Sequence, residues 1–287
     1  MSKSTPKRSV EVVVISDVHL GTRGCHAKEL LKYMKSIRPE KVILNGDIID
    51  IWQFKKSYFP KAHMQVIKQI ADWMAKGVKI YYVTGNHDEM LRKFVGFKMG
   101  SLKIVNKVVL KLDGTKVWFF HGDVFDVTMQ HSKWLAKLGA NGYDLLIIIN
   151  RLVNHISEKL GRGKISLSKR IKNSVKSAVK FVNDFETVAA DIAIMNEYDY
   201  VVCGHIHQPE MREISNGKGS VMYLNSGDWV ENLTALEYNR GAWSIYKYED
   251  EHYSDDNLHI TPDQEFNNKD LFAKLVAEFK LMELTKD

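Results

Sequence analysis

The sequence has little cysteine and no long apolar run. Its 287 residues include only two cysteines, Cys25 and Cys203, too few for the disulfide framework of a small secreted domain. We therefore expect a protein of a reducing compartment, the cytoplasm. The longest apolar stretch, residues 145–149, is far shorter than the roughly 20 residues of a membrane-spanning helix, so the sequence predicts no integral membrane protein.

The two ends of the chain differ from the stretch between them. The first nine residues are basic and polar without an apolar segment, which predicts a flexible tail at residues 1–9 rather than a signal peptide. Residues 10–250 carry the apolar patterns of a folded domain. Residues 251–287 are predicted to form a C-terminal extension that contains a helix.

Short apolar runs that end at polar residues recur along the chain, and their composition is typical of strands buried on both faces. Two segments between the first three runs have apolar residues at helical spacing, so the β-α-β-α order predicts an α/β fold. The runs comprise residues 10–16, 42–44, 78–84, 117–120 and 200–203. The helical stripes comprise Leu30, Leu31, Met34 and Ile37, and then Val66, Ile67, Ile70 and Met74.

The connection between the fourth and fifth runs is unusually long. The chain takes 84 residues from His121 to His205, far more than an ordinary loop. Apolar residues at helical spacing recur within it, so we predict a helical insertion at about residues 126–192.

Polar residues capable of acid–base or metal chemistry stand at the ends of all five runs. Open α/β sheets place their ligands at the carboxyl ends of their strands. Single buried histidines are common, but five independent coincidences are not, so the sequence predicts one shared site. Its candidate residues are Asp17, His19, Asp47, Asn86, His87, His121, His205 and His207.

The spacing of these residues suits metal binding. Side chains two residues apart share one face of an extended chain, so Asp17 and His19 can converge on one ion, as can His205 and His207. Glycines precede Asp47 and other members of the set, where the backbone must come close to a ligand. Oxygen and imidazole donors without thiolate favour Mn²⁺, with Fe or Zn as alternatives, in a catalytic rather than a structural site.

Taken together, these blocks resemble the calcineurin-like metallophosphoesterase family. The resemblance implies a β-sandwich of two mixed sheets flanked by helices, with two divalent metal ions. It also implies that Asp17, His19 and His207 hold the first ion, that Asn86, His121 and His205 hold the second, and that Asp47 bridges both. The blocks are Asp17-Val18-His19, Gly46-Asp47, Gly85-Asn86-His87-Asp88, His121-Gly122-Asp123 and Gly204-His205-Ile206-His207.

The same resemblance implies a reaction. A divalent ion lowers the pKa of bound water from about 15.7 to about 7, so a metal-bound hydroxide would attack a phosphoester. His87 would bind the phosphoryl oxygens or protonate the leaving group as the catalytic histidine. Asp88 either orients His87 or caps a turn, and Asp123 is either a partner of a ligand histidine or a turn residue.

Within the family, the chain is most similar to the branch that contains UDP-2,3-diacylglucosamine pyrophosphohydrolases, bacterial enzymes of lipid A synthesis. One departure is His87, where well-known members have Arg. In that branch inserted helices cover the substrate. Residues 151–180 of this chain carry nine basic residues and one acid, which suits a diphosphate or an anionic membrane surface. The predicted substrate contacts are Lys164, Lys169, Arg170, Lys172 and Lys176.

The leading hypothesis is therefore a bimetallic hydrolase that cleaves a UDP-linked lipid, cytoplasmic and peripheral to the inner membrane. One alternative is a soluble phosphodiesterase or phosphomonoesterase that acts on nucleotides or nucleic acid. The sequence shows no alternation of aromatic and basic residues typical of a base-stacking platform, which makes nucleic acid the weaker partner. A third alternative is a scaffold without catalysis, against which the complete ligand set and His87 argue. The patterns leave the oligomeric state open.

Overall fold

The computed structural model describes residues 7–51, 58–125, 182 and 184–249. The two helical patterns form α1 (Ala27–Ser36) and α2 (Lys61–Ala75), and residues 184–195 form a further helix, α3. Glu89–Phe94 and Asp123–Phe125 form short 3₁₀ turns. The strands are β1 (Arg8–Ile15), β2 (Ile37–Asn45), β3 (Lys79–Val83), β4 (Lys98–Met99), β5 (Leu102–Val105), β6 (Lys107–Leu112), β7 (Thr115–Phe120), β8 (Tyr200–Cys203), β9 (Glu210–Asn216), β10 (Gly219–Asn225), β11 (Thr234–Asn239) and β12 (Ala242–Lys247).

These strands form two mixed sheets. The seven-stranded sheet has the order β12-β11-β1-β2-β3-β5-β4, and the five-stranded sheet has the order β6-β7-β8-β10-β9. Strands β1, β2, β3 and β5 are parallel neighbours in the first sheet, and β7, β8 and β10 are parallel neighbours in the second. The polar residues identified in the sequence follow the carboxyl ends of β1, β2, β3, β7 and β8.

The two sheets pack face to face over a shared apolar core, which β1 illustrates. Val12 and Val14 contribute to the core between the sheets, whereas Val13 and Ile15 belong to the core that α1 and α2 cover. Successive side chains of a strand point to opposite faces. Because both faces of β1 are buried, its run lacks the polar alternation of a half-exposed strand.

Helix α3 covers the outer face of the second sheet. Its Phe185, Ala189 and Ala193 are fully buried and pack in one cluster with Val201 and Cys203 of β8. The layers therefore run helix, sheet, sheet, helix. The predicted α/β fold, a sandwich of two mixed sheets flanked by helices, is confirmed.

Two boundaries differ from the sequence prediction. Strand β1 begins at Arg8, inside the predicted tail, because the Arg8 guanidinium donates two hydrogen bonds of 2.8 and 2.9 Å to the carboxylate of Glu237. Ile37, placed in the helical stripe of α1, instead begins β2 with an extended backbone. Pro39 accounts for this change, since proline has no N–H for a helix and disfavours helical backbone at the residue before it.

Several strands were not predicted, and their positions explain why. Strands β6 and β9 are the edges of the second sheet, where solvent reaches one face and the apolar run is broken by charged residues. Strand β11 lies inside the first sheet, between β1 and β12. It was not predicted because Glu237 interrupts its apolar run. That carboxylate is buried in the strand because Arg8 and the Tyr33 hydroxyl both donate to it.

Most of the predicted insertion, residues 126–192, lies outside the described residues. Helix α3 begins within the predicted range of the insertion and continues past the end of that range to residue 195. The extension at residues 251–287 also lies outside them. So do all five predicted substrate contacts, Lys164, Lys169, Arg170, Lys172 and Lys176. In the part of the chain that the structure describes, no helix is both long and apolar enough to cross a membrane.

A buried histidine in α2 makes folding stability sensitive to acid. His63 is 3% exposed, and its Nδ1 accepts a 2.9 Å hydrogen bond from the N–H of Gly21. Burial lowers the pKa of His63 below its usual 6.5, so protons bind the unfolded chain preferentially and stability falls as the pH drops below about 6.5. The melting temperature should fall when the pH is lowered from 7.5 to 5.5, and we expect this fall to be roughly 2–4 °C smaller in His63→Gln than in the wild type. Equal losses in the two proteins, measured calorimetrically, would contradict this assignment.

Candidate metal centre

The strand-end residues come together as two groups of potential metal ligands. Ligand atoms of Asp17, His19 and His207 lie within 4.8 Å of one another, and those of Asp47, His121 and His205 do the same. Residues from both sheets contribute to each group. Four separate loops thus converge on one place at the carboxyl ends of the parallel strands.

The backbone at these positions is unusual. Five of the six residues have a positive φ, a conformation that costs a residue with a Cβ free energy and clusters at functional sites. Hydrogen bonds between loops hold them: the N–H of Asp17 donates to the Gly46 carbonyl at 3.1 Å, and that of His19 donates to the Asp47 carbonyl at 2.9 Å. The φ values are 52° at Asp17, 54° at His19, 54° at Asp47, 70° at His205 and 56° at His207.

Three glycines let these loops approach closely. A Cβ on Gly46 would overlap the imidazole of His121, and one on Gly85 would overlap the carboxylate of Asp47. Gly204 lies against Asp17 in the same way. The glycines before Asp47, Asn86 and His205 are therefore explained by contact with the site, as the sequence indicated.

In the first group, the potential ligand atoms of Asp17, His19 and His207 face one another. The Nε2 of His207 lies 3.3 Å from Oδ1 of Asp17 and 3.4 Å from Nε2 of His19. Asp17 is fully buried, and the backbone N–H of His205 donates to both of its oxygens at 3.1 and 3.2 Å. Two imidazole nitrogens facing each other beside a buried carboxylate are arranged to share a cation.

The second group is oriented for the same task. The Nδ1–H of His121 donates to the carbonyl of Asn45 at 2.8 Å, which leaves the lone pair of the neutral ring on Nε2. That Nε2 is buried and lies 3.2 Å from Oδ2 of Asp47. A lone pair facing a carboxylate is unfavourable without a cation between them, so these residues fit a metal ion.

Asn86 adjoins this second group. It stands between Gly85, which packs on Asp47, and His87, whose backbone N–H donates to Oδ1 of Asp47 at 2.9 Å. The side-chain oxygen of Asn86 is buried in this loop. Its place is therefore consistent with the predicted amide ligand beside His121 and His205.

Charge is strongly coupled across the two groups. Burial alone would raise the pKa of Asp17 and of Asp47, but His207 and His121, respectively, hold both values below the usual range. Burial would lower the pKa of the two histidines, yet the carboxylates raise it well above normal at His121 and to about 9 at His207. The buried carboxylates thus favour positive charge at this place, and a bound divalent cation would supply that charge in place of the protons on the two histidines.

His87 has a partner that the sequence analysis missed. The carboxylate of Asp50, 1% exposed, lies 2.8 Å from Nδ1 of His87. Burial lowers the pKa of His87, but the hydrogen bond to Asp50 and the charge of Asp47 raise it above its usual value. The only available signal was a carboxylate between Ile49 and Ile51, in an otherwise apolar segment.

Asp88 contacts backbone groups of the loops that carry Asp47 and Asn86. It does not cap the 3₁₀ turn that follows it, and Asp50 takes the place beside His87. The carboxylate of Asp88 is fully buried and accepts hydrogen bonds from the N–H of Gly85 (2.6 Å), the N–H of Ile48 (3.0 Å) and the hydroxyl of Tyr82 (2.6 Å). It thereby joins the loops after β2 and β3, which carry Asp47 and Asn86.

Asp123 joins another pair of loops. Its carboxylate accepts a hydrogen bond from Arg92, and the same guanidinium lies 3.4 Å from the Gly85 carbonyl. Arg92 belongs to the 3₁₀ turn after His87, whereas Asp123 follows His121 by two residues. The pair therefore connects the two segments that flank the second group.

The close packing of Gly204 supplies a prediction. A Cβ there would lie 2.6 Å from Oδ2 of Asp17 and 2.9 Å from Oγ of Ser16, so Gly204→Ala should displace the Asp17 carboxylate. Misplacement by about 1 Å costs roughly 100-fold in catalysis, and we expect a loss of that order in kcat/KM. Gly217→Ala is the control, because no atom lies within 4 Å of its added Cβ. Similar kcat/KM values for the two variants would contradict the prediction.

Several known proteins are similar to this chain. The profile of the calcineurin-like phosphoesterase family matches residues 10–209. The chain is 26% identical over 250 residues to a UDP-2,3-diacylglucosamine hydrolase of Aliivibrio fischeri, covering 83% of this chain and 98% of that protein. A protein of the same name from Blochmanniella pennsylvanica is 25% identical over 244 residues, covering 80% and 92%. A solved phosphoesterase from E. coli is 13% identical with a TM-score of 0.42, covering 83% and 93%.

The family match spans well over half of the chain and includes every residue of the two ligand groups. The family implies a dinuclear site for divalent metal ions, and the two groups provide separate sets of ligands for such ions. Phosphoester hydrolysis is the chemistry of this family. This chain is accordingly a hydrolase, and it belongs to the calcineurin-like phosphoesterase family.

Proposed function

We propose that the protein hydrolyses the pyrophosphate bond of UDP-2,3-diacylglucosamine. The observation that carries this proposal is the similarity to hydrolases named for that substrate, which extends over most of both chains and beyond the two ligand groups. Addition of water across the P–O–P linkage would give UMP and an acylated glucosamine 1-phosphate. The proposed site of action is the cytoplasmic surface of the inner membrane.

In this proposal each ligand group holds one ion, and Mn²⁺ is the first choice, ahead of Fe or Zn. When bound, two divalent ions polarise a water molecule and offset negative charge on the phosphoryl oxygens. Asp47 belongs to the second group and would bridge the two ions. The remaining ligands divide as Asp17, His19 and His207 for one ion and Asn86, His121 and His205 for the other.

His87 is the proposed catalytic histidine. Its ring stands edge-on to that of His19, with centroids 4.6 Å apart, and its side chain is 32% exposed. Asp50 holds Nδ1, which leaves Nε2 as the ring nitrogen available to the reacting group. A proton held at Nε2 can be donated to the departing phosphate oxygen.

Two exposed apolar side chains follow histidines of the site closely in the sequence. Met90, three residues after His87, is 55% exposed, and Val124, three residues after His121, is 51% exposed. Exposed apolar side chains are compatible with a ligand that carries acyl chains. The basic residues between 164 and 176 remain predicted contacts for the diphosphate or for an anionic membrane surface.

A product assay tests the substrate. The Mn²⁺-loaded protein is incubated with UDP-2,3-diacylglucosamine, and UMP is quantified by chromatography beside UDP-N-acetylglucosamine and bis-(p-nitrophenyl) phosphate. We expect UMP from the acylated substrate at a kcat/KM at least about 100-fold above that for UDP-N-acetylglucosamine, since lost acyl contacts cost several kcal/mol. Cleavage of the generic diester without UMP formation would reject the lipid substrate and favour the alternative of a soluble phosphodiesterase.

A further inference from the structure

A buried carboxylate outside both ligand groups lies beside His207. Asp228 follows β10 and is fully buried, and its Oδ2 lies 3.6 Å from Nδ1 of His207. The other ring nitrogen, Nε2, is the one that faces Asp17 and His19. The imidazole of His207 therefore lies between Asp228 on one side and the first ligand group on the other.

The position of Asp228 is closely determined. Its Oδ1 accepts hydrogen bonds from three successive backbone N–H groups, those of Val230 (2.8 Å), Glu231 (2.5 Å) and Asn232 (3.1 Å). Its Oδ2 accepts a 2.7 Å bond from Nδ2 of Asn232, and the same Nδ2 donates to the backbone carbonyl of His207 at 2.7 Å. Asn232 thus connects the carboxylate to the backbone of the histidine.

This arrangement favours one tautomer of the His207 ring. A carboxylate near Nδ1 favours the proton on that nitrogen, which leaves the lone pair of a neutral ring on Nε2, where a cation would sit. In the second group, the carbonyl of Asn45 is the corresponding acceptor for His121, at 2.8 Å from its Nδ1. Each group therefore contains a histidine that is oriented by an acceptor behind it.

We propose that Asp228 is a positioning residue for the metal ion held by His207, with Asn232 as its support. This inference rests on the proposed metal centre and adds a residue that acts through His207 rather than by contact with ion or substrate. Loss of an acceptor of this kind typically weakens metal binding 10- to 100-fold. The weakening should affect the ion of the first group and spare that of the second.

The test measures Mn²⁺ binding directly. Free Mn²⁺ is titrated by electron paramagnetic resonance in the metal-free wild type, in Asp228→Asn and in Asp113→Asn. Asparagine keeps the Oδ1 acceptor and replaces Oδ2, while Asp113 is an exposed residue bonded to the Tyr238 hydroxyl. We expect Asp228→Asn to bind one of two ions about 10- to 100-fold more weakly, with Asp113→Asn unchanged. Activity of Asp228→Asn should recover as Mn²⁺ is raised.

The outcomes separate this inference from the function on which it rests. A wild type that binds no Mn²⁺ would reject the proposed centre itself. Two ions bound equally well by the wild type and Asp228→Asn would overturn the role of Asp228 and leave the centre intact. If Asp228→Asn fails to fold, Asn232→Ala decides: about tenfold weaker binding of one ion supports the inference, and unchanged binding overturns it.

Discussion

Asp47→Ala is expected to abolish hydrolysis almost completely. Asp47 is the one carboxylate in the second ligand group, it lies 3.2 Å from Nε2 of His121, and it also accepts the N–H of His87. Its removal would take charge from both proposed ions, whose stabilisation of the transition state amounts to several kcal/mol. At about 1.4 kcal/mol per factor of ten, kcat should fall by roughly 1,000-fold or more, with fewer than two Mn²⁺ ions bound per chain.

Asp72→Ala is the matched control for this loss. Asp72 is a carboxylate on α2 that pairs with Lys68 at the surface, at 2.8 Å, and its replacement should leave both the activity and the bound metal unchanged. Circular dichroism of the metal-free variants checks that each is folded. A folded Asp47→Ala protein with kcat within tenfold of the wild type would contradict the proposed bridging role.

His87→Gln is expected to lower kcat by about 100- to 10,000-fold, the range typical of a lost general acid. Glutamine can still form a hydrogen bond with Asp50 but cannot deliver a proton to the departing oxygen. The loss should therefore shrink when the leaving group is a good one, such as p-nitrophenolate, that needs no protonation. Asp50→Asn should lower kcat less, by about tenfold, because it misorients the His87 ring without removing it.

The comparison of leaving groups is the decisive measurement for His87. His26→Gln serves as control, since His26 is a half-exposed histidine that lies 3.7 Å from Glu29 at the start of α1. Bound Mn²⁺ should remain at the wild-type level in His87→Gln and His26→Gln. Asp50→Asn should also weaken binding of the ion held by His19, because Oδ2 of Asp50 lies 3.6 Å from Nδ1 of that ligand. If His87→Gln lowers kcat equally for good and poor leaving groups, His87 acts by binding the phosphoryl group and not by proton donation.

Much of the centre was predictable because strand ends carry a strong local signal. A run such as that of β1 is apolar because both of its faces are buried, so a carboxylate directly after it stands out. The order of strands and helices then brings the ends of parallel strands together. This is why Asp17, Asp47 and His121 could be assigned to one site before their distances were known.

The sequence by itself determined the α/β class, the central strands and the residues that converge at the metal centre, because each depends on local apolar pattern and chain direction. Only the tertiary structure decided which acids orient those residues. Asp50 and Asp228 act across contacts between different loops, and Asp88 and Asp123 tie loops together instead of contacting a histidine. Edge strands and the buried Glu237 were likewise decided by neighbours distant in the chain, since pairing with Arg8 and Tyr33 is what permits a carboxylate in a buried strand.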